Sequence, residues 1–477
     1  MSIIARPPLP VCYDPMPKPI PQRKKATGPR KALELESQGS EAPSRRSFIK
    51  NGGIILAGSA IVGSNAKIAS AAHAFGNDTI KIGLVGCGRR GTAAASQALT
   101  TDGSVELVSM CDVFQNNMHT AYRTLRGLHG DKIKVDEARF DGLDGFRGVM
   151  QSDADVVILA TPPGFRPLHF ESAVKAGKHV FMEKPVATDA PGVRRVMAAG
   201  ELASQKGLAV QVGLQRRHEP RYRECVDRLK NGAIGDPVFA RAYWNGGDAW
   251  VRQRREKQTE LEYQLRNWYY FNWLSGDLIS EQHIHNLDVI NWVLDAHPVE
   301  AQGQGGRELR RGDDHGQIFD HHMIEYTYGS GVRMLGQCRQ MRGCWNSVSE
   351  HIHGTNGSAE ISAGKIFDRS GKLIWKSQAE SVKGKGWQQE QNDFFAALRQ
   401  GERPNETEQG AMSTMTAIMG RLATYSGKIV RFKDAMRSDV QLANVDALHS
   451  LDDIAPVLRD AADDYPLPIP GSKTPMV

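Results

Sequence analysis

A chain of 477 residues can hold two or three domains with sizeable cores, and 40% hydrophobic with 24% charged residues is ordinary for a globular protein and excludes disorder for the main body. The formal net charge of +6 is carried by the first 50 residues, where ten Lys/Arg face four Asp/Glu, so the balanced remainder offers no basic domain for nucleic acid. The six cysteines (Cys12, Cys87, Cys111, Cys225, Cys338, Cys344) form no C-x-x-C pair and read as free, mostly buried thiols.

Residues 1–43 are rich in Pro, Lys and Arg without apolar periodicity and read as a disordered leader or a misassigned start. Residues 44–74 read differently. Ser44-Arg45-Arg46-Ser47-Phe48-Ile49-Lys50 precedes a Gly/Ala-rich apolar run from Gly52 to Val62, and small residues follow at Ala69-Ser70-Ala71 and Ala72-His73-Ala74. This resembles a twin-arginine export signal with its cleavage site. The competing reading, a membrane anchor, is weakened because the run is interrupted at Gly58 and ends at Gly63, too short to span a bilayer. The resemblance implies the twin-arginine translocase as a partner, a periplasmic or otherwise exported destination, and a nucleotide acquired before export.

The informative stretch begins at Thr79 (T-I-K-I-G-L-V-G-C-G-R-R-G, to Gly91), a strand entering a glycine turn that opens a helix. In a dinucleotide-binding turn Gly86 permits the sharp bend, Gly88 lets the pyrophosphate approach the backbone, and Gly91 lets helix and strand press together. Arg89 and Arg90 lie inside the same turn and count as cofactor neighbours. A second apolar run, Val105 to Cys111, ends in Asp112, 21 residues beyond Gly91, where a ribose-binding acid is expected. That carboxylate favours NAD over NADP, because it accepts from a ribose hydroxyl and repels a 2′-phosphate.

A helix around Asn117 to Leu128 follows, then a strand from Asp155 to Ala160 that ends in Thr161-Pro162-Pro163. Its C-terminal end is where ligands bind in a parallel sheet, which makes Thr161 and Pro162 cofactor neighbours. A helix from about His169 to Ala176 leads to the strand Lys178 to Met182, which delivers Glu183-Lys184-Pro185. Lys184 precedes a proline, so its backbone is extended and its bond to Pro185 can be cis. At the mouth of the sheet its ammonium can steady an alkoxide beside a nicotinamide; an isolated E-K-P is otherwise an ordinary strand-end turn.

From Leu208 the pattern changes to longer strands and one irregular insertion, Tyr243 to Trp273. It contains Trp244, Trp250, Trp268 and Trp273 with Tyr243, Tyr263, Tyr269 and Tyr270. These aromatics suit a carbohydrate platform, core packing or an oligomer contact equally. After Gly276 apolar residues recur at helical spacing, and Glu281, His285, Asp288 and Trp292 fall on one stripe. A histidine beside a carboxylate is what removal of a hydroxyl proton needs, although a polar helix face without function looks the same. His321 to Tyr328 and Arg333 to Gln337 flank Gly329-Ser330-Gly331 and read as a hairpin. The tail from Asp446 to Val477 docks on the surface.

Glu183-Lys184-Pro185, the H-x-x-D-x-x-x-W run of His285, Asp288 and Trp292, the turn His353 to Ser358 and a late helix around Asp393 to Leu398 together resemble the Gfo/Idh/MocA family of oxidoreductases. The resemblance covers Asp78 to about Phe432. It implies an α/β protein: an N-terminal Rossmann domain (78–207) and a C-terminal α/β domain (208–445) with an open, mostly antiparallel sheet that often forms the subunit interface of a homo-oligomer. It also implies NAD as cofactor, with Glu183 and Lys184 beside it, and Lys184 and His285 as the catalytic pair. Glu281 stands where the family usually has an aspartate, and Asp277, Gln282 and His283 replace residues that are usually small or glycine.

The leading expectation is an exported NAD-dependent oxidoreductase acting on a sugar, cyclitol or related polyol, with Glu281 orienting His285 or holding a neighbouring hydroxyl. Two others stand beside it: a redox-neutral glycosidase or epimerase using NAD transiently, and a non-catalytic sugar sensor. The pairs His283/His285, His321/His322 and His351/His353 invite a metal, but no H-E-x-x-H or paired-cysteine motif supports one, so none is expected.

Overall fold

The computed structural model describes residues 76, 78–312, 314–379 and 385–472; the leader, the twin-arginine stretch and Cys12 lie outside them. Six short strands of the first half pair in parallel: β1 (Ile80–Val85), β2 (Val105–Asp112), β3 (Arg139–Asp141), β4 (Val156–Leu159), β5 (His179–Met182) and β6 (Val210–Val212). Their spatial order is β3-β2-β1-β4-β5-β6, so the chain reverses direction across the sheet between β1 and β4. Ligands bind outside the carboxyl ends of the strands at such a switch point. Helices cover both faces, which is why every residue of β4 and β5 is buried and the strands read as unbroken apolar runs.

This first sheet runs past the expected boundary at residue 207, since β6 pairs with β5 through Val210↔Val180. It also recruits a distant helix. Lys385–Arg399 buries Phe394, Phe395 and Leu398 in the same cluster as Ile80, Ile82 and Ala94.

The second sheet contains β7 (Pro237–Gly246), β8 (Pro298–Gly306), β9 (His321–Tyr328), β10 (Arg333–Gln340), β11 (Ser347–Gly354), β12 (Gly357–Glu360), β13 (Lys365–Asp368), β14 (Leu373–Lys376) and β15 (Val430–Arg431). Their order is β14-β13-β12-β11-β7-β10-β9-β8-β15. Only β7 and β10 pair in parallel. The hairpin of β9 and β10 forms at the expected place, closed by Gly331 donating to the Tyr328 carbonyl at 2.9 Å.

One face of this sheet packs on the helices Ile284–Leu294 and Thr407–Ser426. On it lie Ala240, Ala242 and Trp244 of β7, with their partners Met334, Gly336 and Cys338 of β10. The other face carries Phe239, Arg241 and Tyr243 beside Leu335 and Gln337 and is only half-buried.

The expected insertion is shorter than its aromatic run, because Tyr243 and Trp244 belong to β7. Most of its rings are core. Tyr263, Tyr269, Tyr270 and Trp273 are buried, and the Trp273 indole donates to Gln264 at 2.8 Å. The tail from Asp446 docks through Asp446 on Arg195, His449 on Asp144 and Tyr465 on Glu260. Cys87, Cys111, Cys225 and Cys338 are free and buried, whereas Cys344 is free and exposed. Among the described residues no helix is long and apolar enough to cross a membrane.

Candidate active site

The glycine turn after β1 shows why three glycines stand there. Gly86 has φ +95°, and a Cβ on Gly91 would sit 1.8 Å from the Gly86 carbonyl oxygen, so helix and turn are in backbone contact. At Gly88 an added Cβ meets nothing within 4 Å. The space in front of this residue is therefore open, as a pyrophosphate against the first turn of the helix Arg89–Leu99 requires. Asp112, at the end of β2, accepts from the Cys87 amide at 2.7 Å, the Phe114 amide at 2.8 Å and Asn117 Nδ2 at 3.2 Å. Burial pushes its carboxyl up and these bonds pull it back. A carboxylate offers about four acceptor sites, so room remains for one ribose hydroxyl. The residues fit NAD.

The other expected cofactor neighbours divide. Arg89 is exposed at the start of the helix. Arg90 is engaged within the protein: it donates to Glu183, to Gln97 at 2.9 Å and to Glu390 at 3.0 Å. Arg90 and Glu183 thus clasp the first helix to the end of β5. Burial pushes the Glu390 carboxyl well up, against the pull of Arg90. Thr161 lies at the mouth of β4, but its hydroxyl pairs with His169 at 3.1 Å and its carbonyl accepts from the buried Arg166 at 2.6 Å. Pro162 closes that turn, its carbonyl accepting from Phe165 at 3.1 Å.

Lys184 and Glu281 come together. The Lys184–Pro185 bond is cis, and the ammonium donates to the Glu281 carbonyl and, at 2.9 Å, to its carboxylate. Both side chains are mostly buried, 9% and 14% exposed. An ammonium has three donors, so one remains for a ligand. Glu281 stands in a π-turn, Ile279–His283, that precedes the α-helix Ile284–Leu294. The expected regular helix is therefore widened by one residue at this point, a distortion frequent at functional sites.

His285 opens the α-helical part and is 6% exposed. Its ring lies against Trp244, centroids 6.0 Å apart at 29°, and its Nδ1 is buried without a hydrogen-bond partner. Burial, then the charges of Lys184, Arg216 and Arg90, hold the imidazole well below its usual 6.5. It is therefore neutral at neutral pH and able to accept a proton. Oε2 of Glu281 is likewise buried and unpaired.

Asp288, the third member of the stripe, is occupied elsewhere. It takes a two-pronged pair from Arg217, at 2.8–3.1 Å, and a bond from Ser413 at 2.7 Å. Trp292 lies under the same guanidinium, 5.3 Å from its ring centroid. These two residues brace the helix rather than face a ligand.

Sequence reasoning missed a buried ionic group beside His285. Arg216 donates to Glu350 of β11, which also accepts from Asn286 at 2.7 Å and Tyr222 at 3.2 Å. A signal was present: Glu350 alternates with Val348 and Ile352, which puts an acid on the inward register of a strand. Among the described residues no three His, Cys, Asp or Glu side chains cluster in a way that could hold a metal.

Comparison with known proteins bears on the family and the fold. Residues 80–214 match the profile described as an oxidoreductase family with an NAD-binding Rossmann fold, and residues 222–360 match the Gfo/Idh/MocA C-terminal domain. The chain is 26% identical over 229 residues to an inositol 2-dehydrogenase of Acidothermus cellulolyticus, a match covering 48% of this chain and 58% of that protein. It is 29% identical over 224 residues to the inositol 2-dehydrogenase of Gluconacetobacter diazotrophicus, covering 47% and 57%. The chain thus spans somewhat more than half the length of these curated relatives.

In fold it is similar to scyllo-inositol dehydrogenase from Lactobacillus casei, solved with NAD(H) and scyllo-inositol. The TM-score is 0.56 at 22% identity, over 74% of this chain and 99% of the other. With two adjoining profiles spanning more than half of the sequence, the chain belongs to the Gfo/Idh/MocA family of oxidoreductases.

Proposed function

We propose that this protein is an NAD-dependent oxidoreductase that moves a hydride between nicotinamide and a hydroxyl-bearing carbon of a cyclitol, sugar or related polyol. The observation that carries the reading is the convergence of the Lys184 ammonium, held on Glu281, with a neutral, buried His285 that feels its charge. His285 takes the proton of the substrate hydroxyl. The free N–H of Lys184 donates to that oxygen and stabilises the negative charge that grows on it. Glu281 fixes the ammonium and keeps one unpaired carboxylate oxygen for a neighbouring hydroxyl. Bound at the glycine turn, NAD would serve as the hydride acceptor.

The similarity to inositol 2-dehydrogenases supports a cyclitol or a ring of similar size as substrate. Glu281, one methylene longer than the family's usual aspartate, sets a different spacing for the substrate's second hydroxyl. The test is a panel of cyclitols and sugars with NAD, followed at the nicotinamide absorbance. Reduction by at least one ring polyol supports the proposal, and a panel without turnover by protein that binds NAD sinks it.

Export by the twin-arginine route is part of the same proposal and rests on Arg45-Arg46 and the short apolar run behind them. A homo-oligomer is proposed as well, joined through the half-buried face that carries Phe239, Tyr243 and Leu335.

A further inference from the structure

Asp277 stands just before the π-turn in a backbone conformation that favours glycine. Its φ is +73°, directly after Gly276 at +72°. The other described non-glycine residues with positive φ are Lys257, Asp295 and Asp463, and all three are exposed. Asp277 is wholly buried. Such a conformation persists only where the surroundings fix it, and such residues gather at functional sites.

The surroundings are built for this one carboxylate. Oδ1 accepts from the amide of Leu278, the last residue before the turn. Oδ2 accepts from the Phe319 amide at 2.9 Å and the Tyr425 hydroxyl at 2.5 Å, and His322 Nε2 lies 3.3 Å away. The Asp277 amide donates to Ser275 Oγ at 3.0 Å. Burial works against the charge, but His322, Tyr425 and Arg310 outweigh it and hold the carboxyl below its ordinary value.

Two anchors bracket the turn. Asp277 ties its entry to Tyr425, and Asp288, beyond its exit, is tied to Ser413 at 2.7 Å. Tyr425 and Ser413 belong to the same helix, Thr407–Ser426, so the extra residue of the turn is trapped between two fixed points on one support. Without the first anchor the segment can rewind to regular α spacing, which displaces its entry by one residue, about 100° around the axis. Glu281 stands inside the turn. Rewinding would swing its carboxylate away from the Lys184 ammonium, which it meets at 2.9 Å.

We infer that Asp277 is a positioning residue for the reaction: it traps the π-turn and thereby keeps Glu281 on Lys184. This rests on the oxidoreductase reading and adds what sets the geometry of its cation.

The test compares Asp277→Gly, Glu281→Gln and the double variant in the full chain, with NAD and the best substrate of the ring-polyol panel. Glycine adopts the same φ, so Asp277→Gly removes the carboxylate without adding backbone strain. It is expected to lower kcat about tenfold or more at an unchanged Kd for NAD, and the double variant to be no slower than Glu281→Gln alone. Independently of turnover, acetic anhydride is expected to label Lys184 about tenfold faster in Asp277→Gly than in wild type, relative to the other lysines. Tyr425→Phe keeps the carboxylate and removes one of its donors; it is expected to shift both readings the same way by less, and it decides the matter if Asp277→Gly does not fold. Unchanged kcat and labelling, or losses that add in the double variant, overturn the inference. If no ring polyol turns over, the oxidoreductase reading fails and labelling of Lys184 alone scores the anchor.

Discussion

The ammonium of Lys184 and the carboxylate of Glu281 meet at 2.9 Å across 97 residues of sequence, one delivered by the end of a parallel strand and the other by a π-turn. The pair fixes where a cation stands at the mouth of the first sheet. Lys184→Met removes that cation and is expected to lower kcat by about 100-fold or more, the scale of losing one donor to a developing oxyanion. Glu281→Asp restores the family's usual residue and is expected to cost about tenfold with the native substrate. Steady-state kinetics with unchanged circular dichroism decides both.

The turn after β1 separates binding from folding. Gly88→Ala adds a methyl that touches no protein atom, so its melting temperature is expected within about 2 °C of wild type while NAD affinity falls about tenfold or more. Gly91→Ala drives a Cβ into the Gly86 carbonyl and is expected to destabilise the fold by at least about 2 kcal/mol. Equal effects of the two on the melting temperature would contradict this account.

Much of this was legible in the sequence, and the reason is local. Gly86, Gly88 and Gly91 are demanded by backbone geometry within one turn, and the acid 21 residues on is a fixed spacing along a strand-helix-strand unit. The hairpin closed at Gly331 is equally local. What stayed hidden depends on long-range packing. Arg216 meets Glu350 across 134 residues, and neither element alone indicates the other. Asp288 looked like part of the catalytic stripe until Arg217 and Ser413 were seen to occupy it. The π-turn escaped because its extra residue leaves no mark on apolar periodicity.

Burial and then the charge of Lys184 lower the His285 imidazole most, and Arg216, paired with Glu350, adds to that lowering. Glu350→Gln leaves the guanidinium uncompensated, which lowers the imidazole further and moves the acid limb of the kcat/KM profile to lower pH. Arg216→Met combined with Glu350→Gln differs by loss of that cation alone, so its limb is expected at higher pH than in Glu350→Gln. The opposite order would remove Arg216 from the account.

Stability is expected to fall on acidification from about pH 6.5. Burial first holds His169, His179 and His283 at about 3, and His285 is lowered too. The unfolded chain therefore binds protons that the folded chain refuses, and stability present above 6.5 is lost as pH falls through that window. Burial disfavours charge on His218, yet Asp393 and Glu406 raise it to about 9, so its contribution is full below 6.5 and vanishes as pH rises through 9. Urea midpoints between pH 4 and 10 test both limbs. His218→Asn is expected to flatten only the alkaline one.

The most direct test of the central claim is a single-turnover measurement of nicotinamide reduction, with NAD saturating and a ring polyol deuterated at the reacting carbon. Wild type is expected to form reduced nicotinamide with a primary isotope effect, while His285→Asn and Lys184→Met form it about 100-fold more slowly or not at all. Undiminished reduction by either variant would contradict the assignment of these two residues to one substrate oxygen.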